Sequence, residues 1–225
     1  MFEQFQFIPL HYNLILQGLQ LTLEITLFGV FLGLAVGIIL AVGDLYGNKF
    51  TKGILAVYVE FFRGSPLFIQ LFLAEYTVPT ITHIPIDPYI TAFLVFGLNS
   101  AAYQKGYIKG AMETVYDDQM AAGLSTGMSR IQTLRHVIIP QALRIVIPSW
   151  TNEFCSLTKS SSVVAYVGLF DLVGAGREII GQTYNVLPVW LFVGLIYLVW
   201  ITGFTKVMDV IYDKKKIPGV DLLMQ

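Results

Sequence analysis

Five stretches of this chain, residues 16–42, 54–78, 89–107, 143–167 and 186–204, are long and apolar enough to be read as membrane helices. Such a helix needs about 20 mostly apolar residues. The whole sequence of 225 residues agrees, with 55% hydrophobic and only 13% charged residues. A soluble domain carries about 25% charged residues, roughly twice that share. The expectation is an all-α membrane protein of a single domain over 1–225. The first 48 residues contain no Lys or Arg, so the basic region of a cleavable signal peptide is missing.

The second and fourth stretches are not plain anchors. The second holds Glu60, Arg63 and Glu75, and the fourth holds Pro148, Glu153 and Lys159. Polar segments of this kind suit a pathway through the membrane. The fifth has Trp190 and Trp200 where interfacial aromatics belong. The basic residues alternate between the connections. The arm before residue 15 has none, 43–53 has Lys49 and Lys52, and 77–88 has none. The next connection and its edges carry Lys105, Lys109, Arg130, Arg135 and Arg144, the segment 168–184 only Arg177, and the tail Lys206, Lys214, Lys215 and Lys216. The positive-inside rule then puts the N-terminus outside and the C-terminus in the cytoplasm.

Between the third and fourth stretches lies a polar island, 119–148, QMAAGLSTGMSRIQTLRHVIIPQALRIVIP. It reads as two short helices joined at Gly127 and closed by Pro140 and Pro148. Ser129 and Gln132 form a capping box for the second helix. Ile131, Leu134 and Ile138 share one face of it. A capped, amphipathic helix pair in a membrane protein's loop reads as a docking surface more readily than as a connector.

Several classes of function are excluded or disfavoured. A net charge of −1 does not fit a nucleic-acid partner. No GxxxxGK[ST] phosphate loop is present, so any ATP binding belongs to another chain. An intramembrane enzyme would need a catalytic constellation, and the sequence has neither HExxH nor GxSxG. His11, His83 and His136 are spread over loops without metal spacing, and Cys155 reads as ordinary packing. An ion-coupled secondary transporter, the other alternative, usually shows internal repeats and roughly ten or more spans.

Glu153 is the sharpest candidate for substrate contact. A carboxylate inside a membrane helix is costly and faces a cavity or a partner. Lys159, six residues on, lies roughly 240° around the helix, a poor position for pairing. Glu60 and Arg63 are three apart and can pair on one face. Gly64, Ser65 and Pro66 beside them weaken the helix and free backbone carbonyls, the usual way of building a polar site at membrane depth. Asn99 and Ser100 in the third stretch, and Thr151, Asn152 and Ser156 beside Glu153, are further candidates, with helix–helix hydrogen bonding as the alternative. Glu24 reads as an interfacial residue. Gly29, Gly33 and Gly37 form a small-residue face for close packing, either internal or at a subunit interface. Gly174, Ala175 and Gly176 read as a flexible outer turn, with part of an external gate as the alternative.

The motifs resemble those of the membrane subunits of polar amino-acid ABC importers, the histidine/glutamine/arginine/opine permease family. The resemblance rests on 58–66 (YVEFFRGSP), 98–103 (LNSAAY), the island 119–148, 152–154 (NEF) and 157–161 (LTKSS), in that order. It implies a type I importer fold of five spanning helices, with a cytoplasmic coupling loop at about 111–142. It implies transport by alternating access in the inner membrane of a prokaryote, with no enzyme activity or cofactor in this chain. ATP and Mg would belong to partner ATP-binding cassette subunits. A second permease chain and an external amino-acid-binding protein complete the implied assembly. It raises Glu153 and Glu60 as pocket residues. It makes Gln119, Ala121, Ala122, Gly123, Gly127, Arg130, Arg135, His136 and Pro140 the ATPase-coupling set. The departures fall within that set and near it. The family's loop glutamate falls on Ala121, its Leu before the loop glycine on Thr126, and its third-span Glu and Arg on Gly106 and Lys109. The coupling surface has therefore lost a carboxylate.

Overall fold

The computed structural model describes residues 6–216. Residues 1–5 of the N-terminal arm and 217–225 of the tail lie outside the described residues. Everything regular among residues 6–216 is helical. A single turn, α1 (Phe7–Leu10), precedes the long helix α2 (Tyr12–Tyr46). Next come α3 (Lys49–Gly64) and α4 (Leu67–Phe72), then a π-helical turn and α5 (Val78–Thr82). The second long helix is α6 (Pro88–Ser125). After a tight turn, α7 (Arg130–Thr133), a π turn and α8 (Ile139–Ile145) lead into α9 (Ile147–Ser160). A 3-10 segment, Ser161–Val167, connects to α10 (Leu172–Thr183) and the last long helix, α11 (Val186–Lys215).

α2 and α6 form the spine. The glycine face of α2 is internal and meets α6 at matched four-residue steps. A Cβ on Gly29 would lie 3.1 Å from Phe96 Cβ, one on Gly33 2.7 Å from Ser100 Cβ, and one on Gly37 3.1 Å from Gln104 Cβ. Bare backbone at these positions lets the two helices touch. Without a hydrophobic drive between helices in lipid, such close packing carries the association. Both residue series ascend together, so α2 and α6 run parallel. The chain between them must therefore return to its starting side. At one end of the spine Asp44 bonds Lys105 at 2.6 Å and Lys109 at 3.0 Å, tying the end of α2 to α6. Three apolar clusters follow one another along α2, around Ile15, around Ile25 and Val30, and around Ala41.

By length and apolar composition, α2 and α11 can each cross a membrane alone, and α3 to α5 adds a third crossing if that bent element is one span. The other predicted stretches do not qualify alone, for visible reasons. The second breaks by 105° between Gly64 and Leu67. Pro66 has no N–H to continue the ladder and forces the residue before it to be extended, as Ser65 is (ψ 145°). The third is diluted by Asn99, Ser100 and Gln104, all buried, and continues unbroken to Ser125. The fourth is divided among α8, α9 and the 3-10 segment.

Four local expectations are corrected. The first helix of the predicted pair is no separate helix but the end of α6. Pro140 and Pro148 do not close helices. Each stands in the first turn of a new one, where a missing N–H costs nothing. Gly174, Ala175 and Gly176 are not a flexible turn. They are buried in the start of α10, which Asp171 caps by accepting Gly174 N–H at 2.9 Å. Trp200 packs on the central cluster rather than at a helix end, since α11 runs on to Lys215.

Candidate functional site

The break between α3 and α4 opens a cavity of about 590 Å³ against α6 and α9, within the usual ligand-pocket range of about 300–1,000 Å³. Its walls include Arg63, Gly64, Ser65, Asn99, Tyr103, Tyr107, Asn152, Glu153, Ser156 and Ser160. A broken helix at membrane depth leaves carbonyls that need partners. Gln70 supplies them. Its Nε2 donates to Phe62 O at 2.9 Å, Ser65 O at 3.0 Å and Ser65 Oγ at 2.9 Å. Asn99 Nδ2 donates to Gln70 Oε1 at 2.9 Å and to Phe62 O at 3.2 Å. The bend is thus fixed to α6, and Asn99 has only its carbonyl oxygen left for the cavity.

Glu153 is 5% exposed. Its Oε1 accepts the Ser100 hydroxyl at 2.8 Å, and the structure records no bond from the described residues to Oε2. Arg63 has no ion pair among the described residues, and its guanidinium lies 5.3 Å from the centre of the Tyr103 ring. The cavity therefore holds one carboxylate and one guanidinium, neither of them neutralised by another charge among the described residues. That arrangement offers a zwitterion a partner of each sign.

The structure brings together five of the seven predicted pocket residues. Glu153, Asn99, Asn152 and Ser156 line the cavity, and Ser100 lies just behind it holding Glu153. Thr151 does not reach it. Two residues from Glu153 is about 200° of helix, and Thr151 is buried with its hydroxyl on Ile147 O. Glu60 is exposed and outside the lining, because the cavity opens where α3 ends and Glu60 sits a turn earlier. Its expected pairing with Arg63 is not formed. Arg63, Tyr103, Tyr107 and Gln70 were missed as site residues. Tyr103 and Tyr107 follow Asn99 at four-residue steps on one helix face, a signal the sequence did contain. Glu24 is exposed and accepts from Gln20 at 2.7 Å.

The predicted coupling residues gather around one tight turn. α6 ends in a Schellman motif: Met128 N–H bonds Gly123 O at 3.1 Å and Gly127 N–H bonds Leu124 O at 3.0 Å. Gly127 takes the left-handed position this needs, φ +85°. The predicted capping box follows at once. Ser129 N–H donates to Gln132 Oε1 at 2.8 Å, and Gln132 N–H to Ser129 Oγ at 3.2 Å. Gly123 lies directly beneath the buried Thr133, where any side chain would collide. Gln141 donates to Gln119 at 3.1 Å. The two arms are thus locked together. The apolar stripe is split. Ile138 is buried, but Ile131 is 76% exposed, because the π turn at Leu134–Ile138 shifts the register between them. Ile131 and Leu124 are exposed, as are Arg130, Arg135, His136, Ala121, Ala122 and Pro140.

Comparison with known proteins agrees with this architecture. The model of the family "Binding-protein-dependent transport system inner membrane component" matches residues 33–216. The glutamine transport system permease protein GlnP of Escherichia coli strain K12 is 30% identical over 187 residues, covering 83% of this chain and 85% of that protein. The arginine transport system permease protein ArtQ of Bacillus subtilis strain 168 is 30% identical over 202 residues, covering 90% and 92%. A solved amino acid ABC transporter with histidines superposes with a TM-score of 0.83 at 28% identity, covering 92% of this chain and 96% of that one. The chain belongs to the family of binding-protein-dependent transport system inner membrane components. It is an all-helical, multi-pass permease subunit of an ABC importer, and ATP is hydrolysed on a separate subunit.

Proposed function

We propose that this permease subunit carries polar amino acids, with Glu153 receiving the α-ammonium and Arg63 the α-carboxylate. The observation that carries this reading is the pair itself: a buried carboxylate and an unpaired guanidinium on the walls of one cavity. Charged groups at membrane depth persist where a ligand or polar pocket compensates their desolvation. Asn99 Oδ1, Asn152 and Ser156 offer further polar contacts. The relatives named for glutamine and arginine transport support the amino-acid class. Purified chain, reconstituted with its partner subunits in vesicles, accumulates label from an equimolar ¹⁴C amino-acid mixture only when ATP is supplied. Accumulation driven by an ion gradient without ATP would overturn the reading.

The assembly we propose has two permease chains around the pathway, two ATP-binding cassette subunits holding ATP and Mg, and an external binding protein. The turn at Gly127 and its exposed Leu124, Ile131, Arg130 and Arg135 dock in a cleft of the ATPase. With Ala121 in place of a carboxylate, contact rests on basic and apolar groups. The chain crosses the inner membrane five times, N-terminus outside and C-terminus in the cytoplasm. The Lys and Arg distribution supports that direction, and so does the parallel run of α2 and α6, which calls for a return crossing between them. A cysteine replacing Lys215, on a background lacking Cys155, stays unlabelled by an impermeant maleimide in sealed cells and reacts after permeabilisation. Labelling in sealed cells contradicts the orientation.

A further inference from the structure

Behind the cavity wall, Gln104 is fully buried on α6, one turn beyond Ser100. Its Nε2 donates to Val30 O on α2 at 2.8 Å and to Ser100 Oγ at 2.9 Å. Those two bonds use both amide protons. The amide cannot be reversed, since its oxygen would then face the Val30 carbonyl. Ser100 has one proton and already accepts from Gln104, so its proton is directed to Glu153 Oε1. Gly33 closes the arrangement on the α2 side. A Cβ there would lie 2.7 Å from Ser100 Oγ and 2.8 Å from Gln104 Nε2. The order is strict: Val30 carbonyl, Gln104 amide, Ser100 hydroxyl, Glu153 carboxylate. Buried polar chains of this kind act as units. Keeping it costs something, because Gln104 Oε1 is buried with no partner among the described residues. That cost suggests the amide is held for what its nitrogen does.

We propose that Gln104 is a positioning residue for substrate binding: it orients the Ser100 hydroxyl and thereby holds Glu153 with Oε2 turned to the cavity, registering the carboxylate that meets the substrate against α2. The proposal rests on the reading that Glu153 meets the substrate. Without Gln104 the hydroxyl is free to rotate, and Glu153 loses its fixed donor while the cavity wall stays intact.

The test uses the complete transporter and whichever amino acid the native protein accumulates from the labelled mixture. Gln104→Leu raises the uptake KM by roughly three- to tenfold, with the maximal rate changed less than about twofold, as expected when one hydrogen bond to a charged group is loosened. Ser100→Ala, which removes only the hydroxyl, gives the same rise and stands in if Gln104→Leu does not assemble. In a Glu153→Gln background neither change adds a further rise, because residues that act through one another are not additive. A merely structural role would lower the yield of assembled complex and would multiply with Glu153→Gln. A normal KM in both Gln104→Leu and Ser100→Ala, while Glu153→Gln raises it, sinks the positioning role and leaves the pocket standing. A normal KM in Glu153→Gln removes the pocket reading itself.

Discussion

Glu153→Gln is expected to raise the uptake KM by roughly tenfold to somewhat over a hundredfold while leaving the complex assembled, a loss of about 1.5–3 kcal/mol, the scale of a charge-assisted hydrogen bond. The substitution is well matched to the structure. Glutamine has the same volume, and its amide oxygen can keep the 2.8 Å bond from Ser100. The other terminal atom changes from an acceptor to a donor, just where the cavity would receive an ammonium. The change therefore removes the substrate's partner and spares the internal network. If Glu153 were only a structural residue, losing a charge buried at 5% exposure would be neutral or stabilising, since desolvating a lone carboxylate is costly. The two readings differ in what moves: uptake affinity falls under the first and is untouched under the second. Unchanged affinity with equal or better thermal stability would assign Glu153 to structure.

How far the sequence reaches depends on whether a feature is local. The capping box at Ser129 and the break at Gly64–Pro66 are set by residues within one turn of each other, and both are present as read. The length of α6 was not legible. The apolar run ends near Tyr107, but nothing there stops a helix, and α6 continues through Asp117 and Asp118 to Ser125. Hydropathy marks where lipid ends, and helix termination is a separate matter of caps and glycine. The prolines misled for a related reason. Pro140 and Pro148 fit a first helical turn as well as they end one. Arg63 was legible as a charge but not as a cavity residue. Its spacing from Glu60 allows an ion pair, and only the 105° bend, with α6 behind it, carries the guanidinium to Tyr103 instead. Gln104 is the same lesson in reverse. Its four-residue step from Ser100 was visible, but the carbonyl that gives it meaning lies 74 residues away on α2.

The second large effect is expected at Gly127. Its φ of +85° belongs to the left-handed region, and a Cβ there would meet nothing within 4 Å. Any penalty for a side chain is thus conformational, not steric crowding by neighbours. For an L-residue that region costs about 1–2 kcal/mol, and more for a β-branched one. Gly127→Val therefore competes directly with the Schellman bonds from Met128 and Gly127 that end α6. Losing them would free α7, with its Thr133, to swing away from Gly123, and the exposed Leu124, Ile131, Arg130 and Arg135 would no longer present one rigid surface. A bias of about 1–2 kcal/mol is a factor of roughly 5 to 30 in the population of the docked geometry. Gly127→Val should accordingly lose most of the ATPase stimulation that substrate and binding protein elicit, with the membrane part still folded. Gly127→Asn should keep more than about half, because asparagine tolerates the left-handed region. The contrast separates backbone geometry from simple loss of a glycine. Full stimulated activity in Gly127→Val would mean that the turn does not carry the coupling contact.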